Sequence, residues 1–324
     1  MRNLWIVPLV LLLTACSPST DAVQKAIQQT QASWTAIPSQ TPYATYTPYP
    51  TFTPLITYTP SPQPTPTQLP PSNEMVLIPA GEFLMGCIPE DSRSPCLDGE
   101  SPSHTVYLDD YYIELTEVTN TQYASCVAQE ACRPPDFDQT EFDQFMFESP
   151  EHGENPITNI NWYEARDYCA WIGKRLPSEA EWEKAARGAD DDRFYPWGSE
   201  APQCALLNYS DLDGECLGTT TPTGQYPRGA SPYGLLDMAG NVHEWVADWY
   251  NADYYFSNPP ENPLGPESGV EKVLRGGSYS SDWIGVRVSR RAHNPPTFRG
   301  SDIGFRCASD PYNLITSDPI LFDK

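Results

Sequence analysis

Positive charge is scarce in this chain. Nineteen lysines and arginines stand against 43 aspartates and glutamates, a formal net charge of −24 over 324 residues. Phosphate backbones are repelled by such a surface, so nucleic acid is excluded as a partner, and anionic lipid has no electrostatic hold on it. Charge of either sign is missing altogether from residues 26 to 73. There is no Cys-x-x-Cys pair, which excludes a thioredoxin-type redox site and a zinc ribbon. His-Glu-x-x-His, Gly-x-Ser-x-Gly and phosphate-loop patterns are also lacking, and His104 and His152 show no ligand spacing. The apolar run Leu4 to Leu13 is too short to span a bilayer stably.

That run follows Arg2 and ends in Leu13-Thr14-Ala15-Cys16. It reads as an export signal over residues 1–15. The ending resembles the lipobox of bacterial lipoprotein precursors, which implies acylation of Cys16 and an anchor of two or three chains in a bacterial membrane. Residues 16–73 are the lipidated cysteine and a spacer. Between 37 and 72 there are eleven prolines, with Thr-Pro recurring. Proline fixes φ and removes amide donors, so neither helix nor sheet is expected. An extended stalk of about 3 Å per residue would reach roughly 100 Å. The expected location is extracytoplasmic, on the cell surface or in the periplasm.

Apart from Cys16, eight cysteines remain: Cys87, Cys96, Cys126, Cys132, Cys169, Cys204, Cys216 and Cys307. An even number in an exported domain favours disulfides. Spacing does not fix their connectivity. Pairing nearest neighbours gives Cys87–Cys96, Cys126–Cys132 and Cys204–Cys216, and leaves Cys169 with Cys307.

About 250 residues follow the spacer, enough for one large domain with a real core. Residues 75–85 read as two short strands joined through Pro79 and Gly81, and His104–Leu108 as another. Thr119 caps a short helix carrying Tyr123 and Val127. Trp162–Ile172 puts Ala165, Tyr168, Cys169 and Ile172 on one helical face, and Gly173 ends it. Ser178 with Glu181 forms a capping box for a further helix. Beyond Gly188 turns dominate. The class is α+β, poor in regular structure and leaning on disulfides, aromatic packing and bound ions.

Five segments occur in order: MVLIPAGEFLMG at 75–86, NPITNINWYEARDYCAWIGKRLPSEAEWEKAARG at 155–188, YPWG at 195–198, YGLLDMAGNVHEWVADWY at 233–250, and VLRGGSY with GFRCA between 273 and 308. Together they resemble the formylglycine-generating enzyme (sulfatase-modifying factor) domain, over residues 74–310, with 311–324 as a tail. The resemblance implies a fold related to C-type lectin-like folds. It also implies a disulfide from the Tyr-Cys-Ala-Trp helix to Gly-Phe-Arg-Cys, here Cys169–Cys307.

The family's enzyme oxidises a sulfatase cysteine with copper and oxygen, through two thiols placed after Arg-Gly-Gly-Ser-Tyr. Soft Cu(I) prefers thiolate. Here Ser281 and Val286 stand in those places, and His243 replaces the pocket tryptophan, whereas Ser278 is kept. Copper is therefore not expected. The resemblance also implies a structural calcium on Asp237, Gly240, Val242 and Glu244, oxygen ligands on a tight glycine turn. A second calcium would begin at Asn208 and Tyr209, with Asp213 as its acid or, equally, Asp211 or Glu215. His293 with Arg287, Arg290 and Arg291 forms a basic cluster that either binds an anion or is balanced by carboxylates.

Three functions follow from these residues. The first is a non-catalytic binding or scaffold module with a protein or glycan ligand. The second is an enzyme of different chemistry at His243, Glu244, Ser278 and Ser281. The third is formylglycine formation through a displaced thiol.

Overall fold

The computed structural model describes residues 74–88, 95–136, 141–189, 193–211 and 214–311. The expected signal, Cys16, the spacer and the tail from 312 lie outside them. No helix among the described residues is long and apolar enough to cross a membrane.

Strands β1 (Met75–Ile78) and β2 (Gly81–Met85) do form around Pro79, but not as a pair. β1 pairs antiparallel with β4 (Tyr111–Glu114), whose other edge takes β11 (Ala308–Ser309). β2 pairs with β3 (His104–Leu108) in a separate sheet. A proline has no ladder N–H, and Gly81 at φ 147 turns the chain. A third sheet runs in the order β10 (Ile303–Gly304), β7 (His243–Trp249), β8 (Lys272–Arg275), β9 (Ala292–Asn294). A small ribbon joins β5 (Ser210–Asp211) to β6 (Gly214–Glu215).

β7 lies in the stretch where turns are expected to dominate. Its sequence hides it because both faces are covered, so the polar and apolar residues do not alternate. Val246 and Val273 point into one core with Ile78, Val106, Ile113, Trp182 and Met238. Trp245 and Leu274 point into a second core with Tyr168, Phe305 and the Cys169–Cys307 bridge.

The helices follow their caps. α1 (Asn120–Ala128) starts at Thr119 in a capping box with Gln122. α2 is Glu141–Glu148. α3 (Trp162–Trp171) starts at Asn161, in a box with Glu164. α4 (Glu179–Arg187) starts at Ser178, in a box with Glu181. Each box satisfies amide donors that a helix start leaves open. α4 looks like a surface helix, yet every residue of it is buried. Its charges are matched internally: Glu183 takes Arg275, Arg187 and the Gly86 amide, and Lys184 donates to the carbonyls of Pro79 and Gly81. Burial of charge is tolerated where each group has such partners.

Four disulfides form: Cys87–Cys96, Cys126–Cys132, Cys204–Cys216 and Cys169–Cys307. Such density suits an oxidising, extracytoplasmic compartment.

Candidate functional site

β8 ends in Arg275, and two glycines follow with φ 85 and 71. Neither position admits a side chain. A Cβ on Gly276 would meet the Trp182 ring at 3.2 Å, and one on Gly277 the Gly285 carbonyl oxygen at 2.7 Å. This turn swings Ser278, Ser280 and Ser281 onto Asp302, the residue before β10. The hydroxyls of Ser278 and Ser280 donate to Asp302 Oδ2 at 2.8 and 2.9 Å. Ser281 Oγ accepts from the Ser278 amide at 3.0 Å, and lies 3.4 Å from Ser278 Oγ and 3.4 Å from His243 Nε2. The predicted residues His243, Ser278 and Ser281 are thus brought together. Asp302, which closes the group, carried no signal in the sequence beyond its place before Ile-Gly-Phe-Arg.

The tautomer of His243 decides what this group can do. Burial pushes its pKa down, with Asp302 opposing and Arg290 assisting. The ring is therefore neutral near pH 7. Its Nδ1 is buried and has no hydrogen-bond partner among the described residues. A buried N–H left unmade costs about 1–3 kcal/mol, so the proton belongs on Nε2. Nε2–H then donates to Ser281, Ser281 to Ser278, and Ser278 to Asp302. In that chain His243 gives a proton to the serine hydroxyl instead of accepting one. A nucleophilic serine needs the reverse, with a third group orienting the base. Asp302 meets only the amide of His243, through its backbone carbonyl, at 2.8 Å.

Copper does not fit these residues. Val286 is fully buried in a cluster with Tyr195, Leu206, Leu207, Tyr209 and Ala239. All eight cysteines of the domain are in disulfides. No thiolate remains among the described residues.

The turn before β7 fits a hard cation better. Asp237, Gly240 and Asn241 have φ of 55, 76 and 61. A Cβ on Gly240 would lie 2.2 Å from the Asn208 carbonyl oxygen. Asp237 and Glu244 are buried here, together with Glu117, which sequence reasoning missed. Asn241 Nδ2 donates to Glu117 Oε1 at 3.0 Å. Burial raises the pKa of Glu117 well above the usual carboxylate range, and the Asp237 charge adds to it. Asp237 is raised by burial too, and shares a hydrogen bond with Glu117. Glu244 is held by Arg306 through two bonds of 2.8 Å and by Trp182 Nε1 at 2.9 Å. Were all three carboxylates ionised against the one guanidinium, the group would carry minus two, which a divalent cation would neutralise. Without a cation, the raised Glu117 and Asp237 share a proton. The buried glutamate ahead of a capped helix, in Leu-Thr-Glu-Val-Thr, was the available clue.

The second calcium set is less well assembled. Asn208 Nδ2 donates to the Thr219 carbonyl at 2.7 Å, and its Oδ1 is buried without a hydrogen bond among the described residues. The Tyr209 ring packs in the core, and its carbonyl accepts from the Cys216 amide at 3.0 Å. Asp213 lies outside the described residues. The basic cluster is balanced: Arg287 forks onto Glu100, Arg291 onto Glu179, and His293 meets Glu271 at 2.8 Å. No group of three or more His, Cys, Asp or Glu side chains stands in metal-binding array among the described residues, the Glu117–Asp237–Glu244 turn included.

Comparison with known proteins agrees with this architecture. Serine/threonine-protein kinase Pkn1 of Chlamydia trachomatis is 38% identical over 249 residues, covering 73% of this chain and 38% of that protein. The chain thus spans well under half of that relative's length. The formylglycine-generating enzyme of Thermomonospora curvata is 34% identical, covering 73% of this chain and 93% of the enzyme. The solved structure of PvdO from Pseudomonas aeruginosa superposes with a TM-score of 0.60 at 28% identity, covering 74% and 94%. With the model of the sulfatase-modifying factor enzyme 1-like domain matching residues 60–311, the chain belongs to that family.

Proposed function

We propose that this protein is a membrane-anchored, extracytoplasmic member of the family that works as a binding or scaffold module and generates no formylglycine. The family resemblance puts the two thiols at Ser281 and Val286, and one observation supports the reading: Val286 is fully buried in an apolar cluster with Tyr195, Leu207 and Tyr209, and every cysteine of the domain is in a disulfide. The hydrogen-bond direction at His243 supports it, since the serine is not activated there. Cys16 anchors the chain and the Pro/Thr spacer extends the domain from the membrane.

A calcium held by Asp237, Glu244 and Glu117, with the carbonyls of Gly240 and Val242, would pin the turn that feeds β7. Its contribution is to loop geometry and stability. The second set, Asn208, Tyr209 and Asp213, is a weaker candidate for the same role.

The test is a Cu(I) titration of the full chain, alongside incubation with a cysteine-containing sulfatase peptide, oxygen and copper. No stoichiometric copper site and no aldehyde product are expected. A sulfur-coordinated copper or a converted peptide would overturn the proposal.

A further inference from the structure

A cleft of about 510 Å³ opens between the C-terminal end of α1 and the first turns of α3, and shares no lining residue with the serine group. That volume falls within the range of small-molecule sites. One wall is the loop closed by the Cys126–Cys132 disulfide, carrying Glu130, with Arg133 just after it. The other is α3, carrying Tyr163, Glu164, Arg166 and Asp167. We propose that this cleft binds a neutral carbohydrate.

The lining chemistry narrows the ligand by elimination. Three carboxylates and two guanidinia line the cleft, and the net charge of −24 disfavours an anion. Arg299 pairs with Glu164 and Arg166 with Asp167, each at 2.6 Å, so a cation finds most of the negative charge already countered. Polar atoms make up the larger part of the lining, with Ala131 the one aliphatic side chain, so a wholly apolar ligand would leave polar groups without partners. No strand edge lines the cleft, and there is no apolar groove, so the common ways of gripping an extended or helical peptide are missing. A ligand rich in uncharged donors and acceptors remains. Glu130, Arg133 and the exposed Asp167 carboxylate can meet sugar hydroxyls, whereas both oxygens of Glu164 are already taken by Arg299 and the Asn161 amide.

Tyr163 supplies the remaining feature. It is 38% exposed, and the Arg166 guanidinium lies 5.5 Å from its ring centre. An exposed tyrosine offers an apolar face beside a polar tip, which suits the C–H face of a sugar ring.

The walls are already fixed. Tyr123 donates its hydroxyl to the Arg133 carbonyl at 3.0 Å. Glu164 also accepts from the Asn161 amide at 2.9 Å. A site organised before binding loses less ordering entropy.

This inference deepens the binding-module reading, yet its outcome is independent of the copper measurement. The experiment is isothermal titration of the full chain, in detergent, with maltose, cellobiose and N,N′-diacetylchitobiose at millimolar concentration. At least one is expected to bind. Tyr163→Ala should weaken it about tenfold, the loss of one stacking contact worth about 1.4 kcal/mol, and Asp167→Asn should weaken it as well. Leu264→Ala, at a 74% exposed position outside the cleft lining, should leave it unchanged. Unfolding midpoints for each variant show that the fold persists. Binding of none of the three sugars, binding indifferent to both cleft variants, or uptake of triglycine in their place would each overturn the proposal.

Discussion

Arg306 grips both carboxylate oxygens of Glu244, at 2.8 Å each, and both side chains are buried. The guanidinium also donates to the carbonyls of Glu114, Leu115 and Leu236. It ties together β4, β7 and the segment before β11. Removing one partner of a buried pair strands the other charge, at a cost of about 3–5 kcal/mol. Arg306→Met is therefore expected to destabilise by that amount in urea unfolding. Arg306→Lys keeps the charge but loses the fork, and should fall between. A loss below about 1 kcal/mol for Arg306→Met would mean that the pair is dispensable.

Calcium should raise the melting temperature and a chelator should lower it. Glu117→Gln and Asp237→Asn should remove the response. The pH trend gives a second readout. Both carboxyls are raised in the folded protein. Without metal, the folded state holds more protons than the unfolded chain above about pH 4, so stability falls as pH rises through the raised values. Bound cation keeps the carboxylates ionised and should cancel that fall. Identical melting with calcium and with chelator would rule the site out.

Asp248 is buried, and its pKa is pushed up to about 8, first by desolvation and then by the Glu179 charge. Its Oδ2 accepts from the Glu179 amide at 2.7 Å, at the start of α4. Glu181 adds to the rise, whereas Arg291 opposes it. The folded state takes up a proton between the ordinary aspartate range and about 8, so stability is lost as pH climbs through that window. An amide keeps the acceptor and never ionises. Asp248→Asn should match the wild type near pH 4 and exceed it increasingly toward alkaline pH, read as the difference in melting temperature. A constant difference at every pH would contradict the assignment.

Cys16→Ser should release the protein from the membrane fraction and abolish labelling by a radioactive fatty acid. Continued labelling of the variant would point to another attachment.

How much of this was legible in the sequence depended on locality. Ser178 and Glu181 announce their helix because a capping box spans three residues. Asn161 and Glu164 mark the start of α3 by the same three-residue spacing. β7 was invisible because its two covered faces erase alternation. Glu117 was missed because its partners, Asp237 and Asn241, lie more than a hundred residues away. Ser281 and Val286 were singled out from the family resemblance alone; the structure places Ser281 beside Ser278 and His243, and Val286 in the Tyr195 cluster. The direction of the hydrogen bond at His243 needed coordinates, because it turns on which ring nitrogen lacks a partner.

The central strand of the first sheet, β4, is bordered on one side by residues 75–78 and on the other by residues 308–309. The earliest and latest strands of the domain are thus separated by a single strand. A chain threaded through an export channel from its amino end would deliver β1 and β4 long before β11 arrived. Cys169 would likewise wait for a partner 138 residues behind it, while Cys87, Cys126 and Cys204 met theirs within a few residues. Closure of the domain is then tied to completion of its passage, and a stalled or truncated chain would leave one flank of β4 bare and one thiol open to the wrong partner.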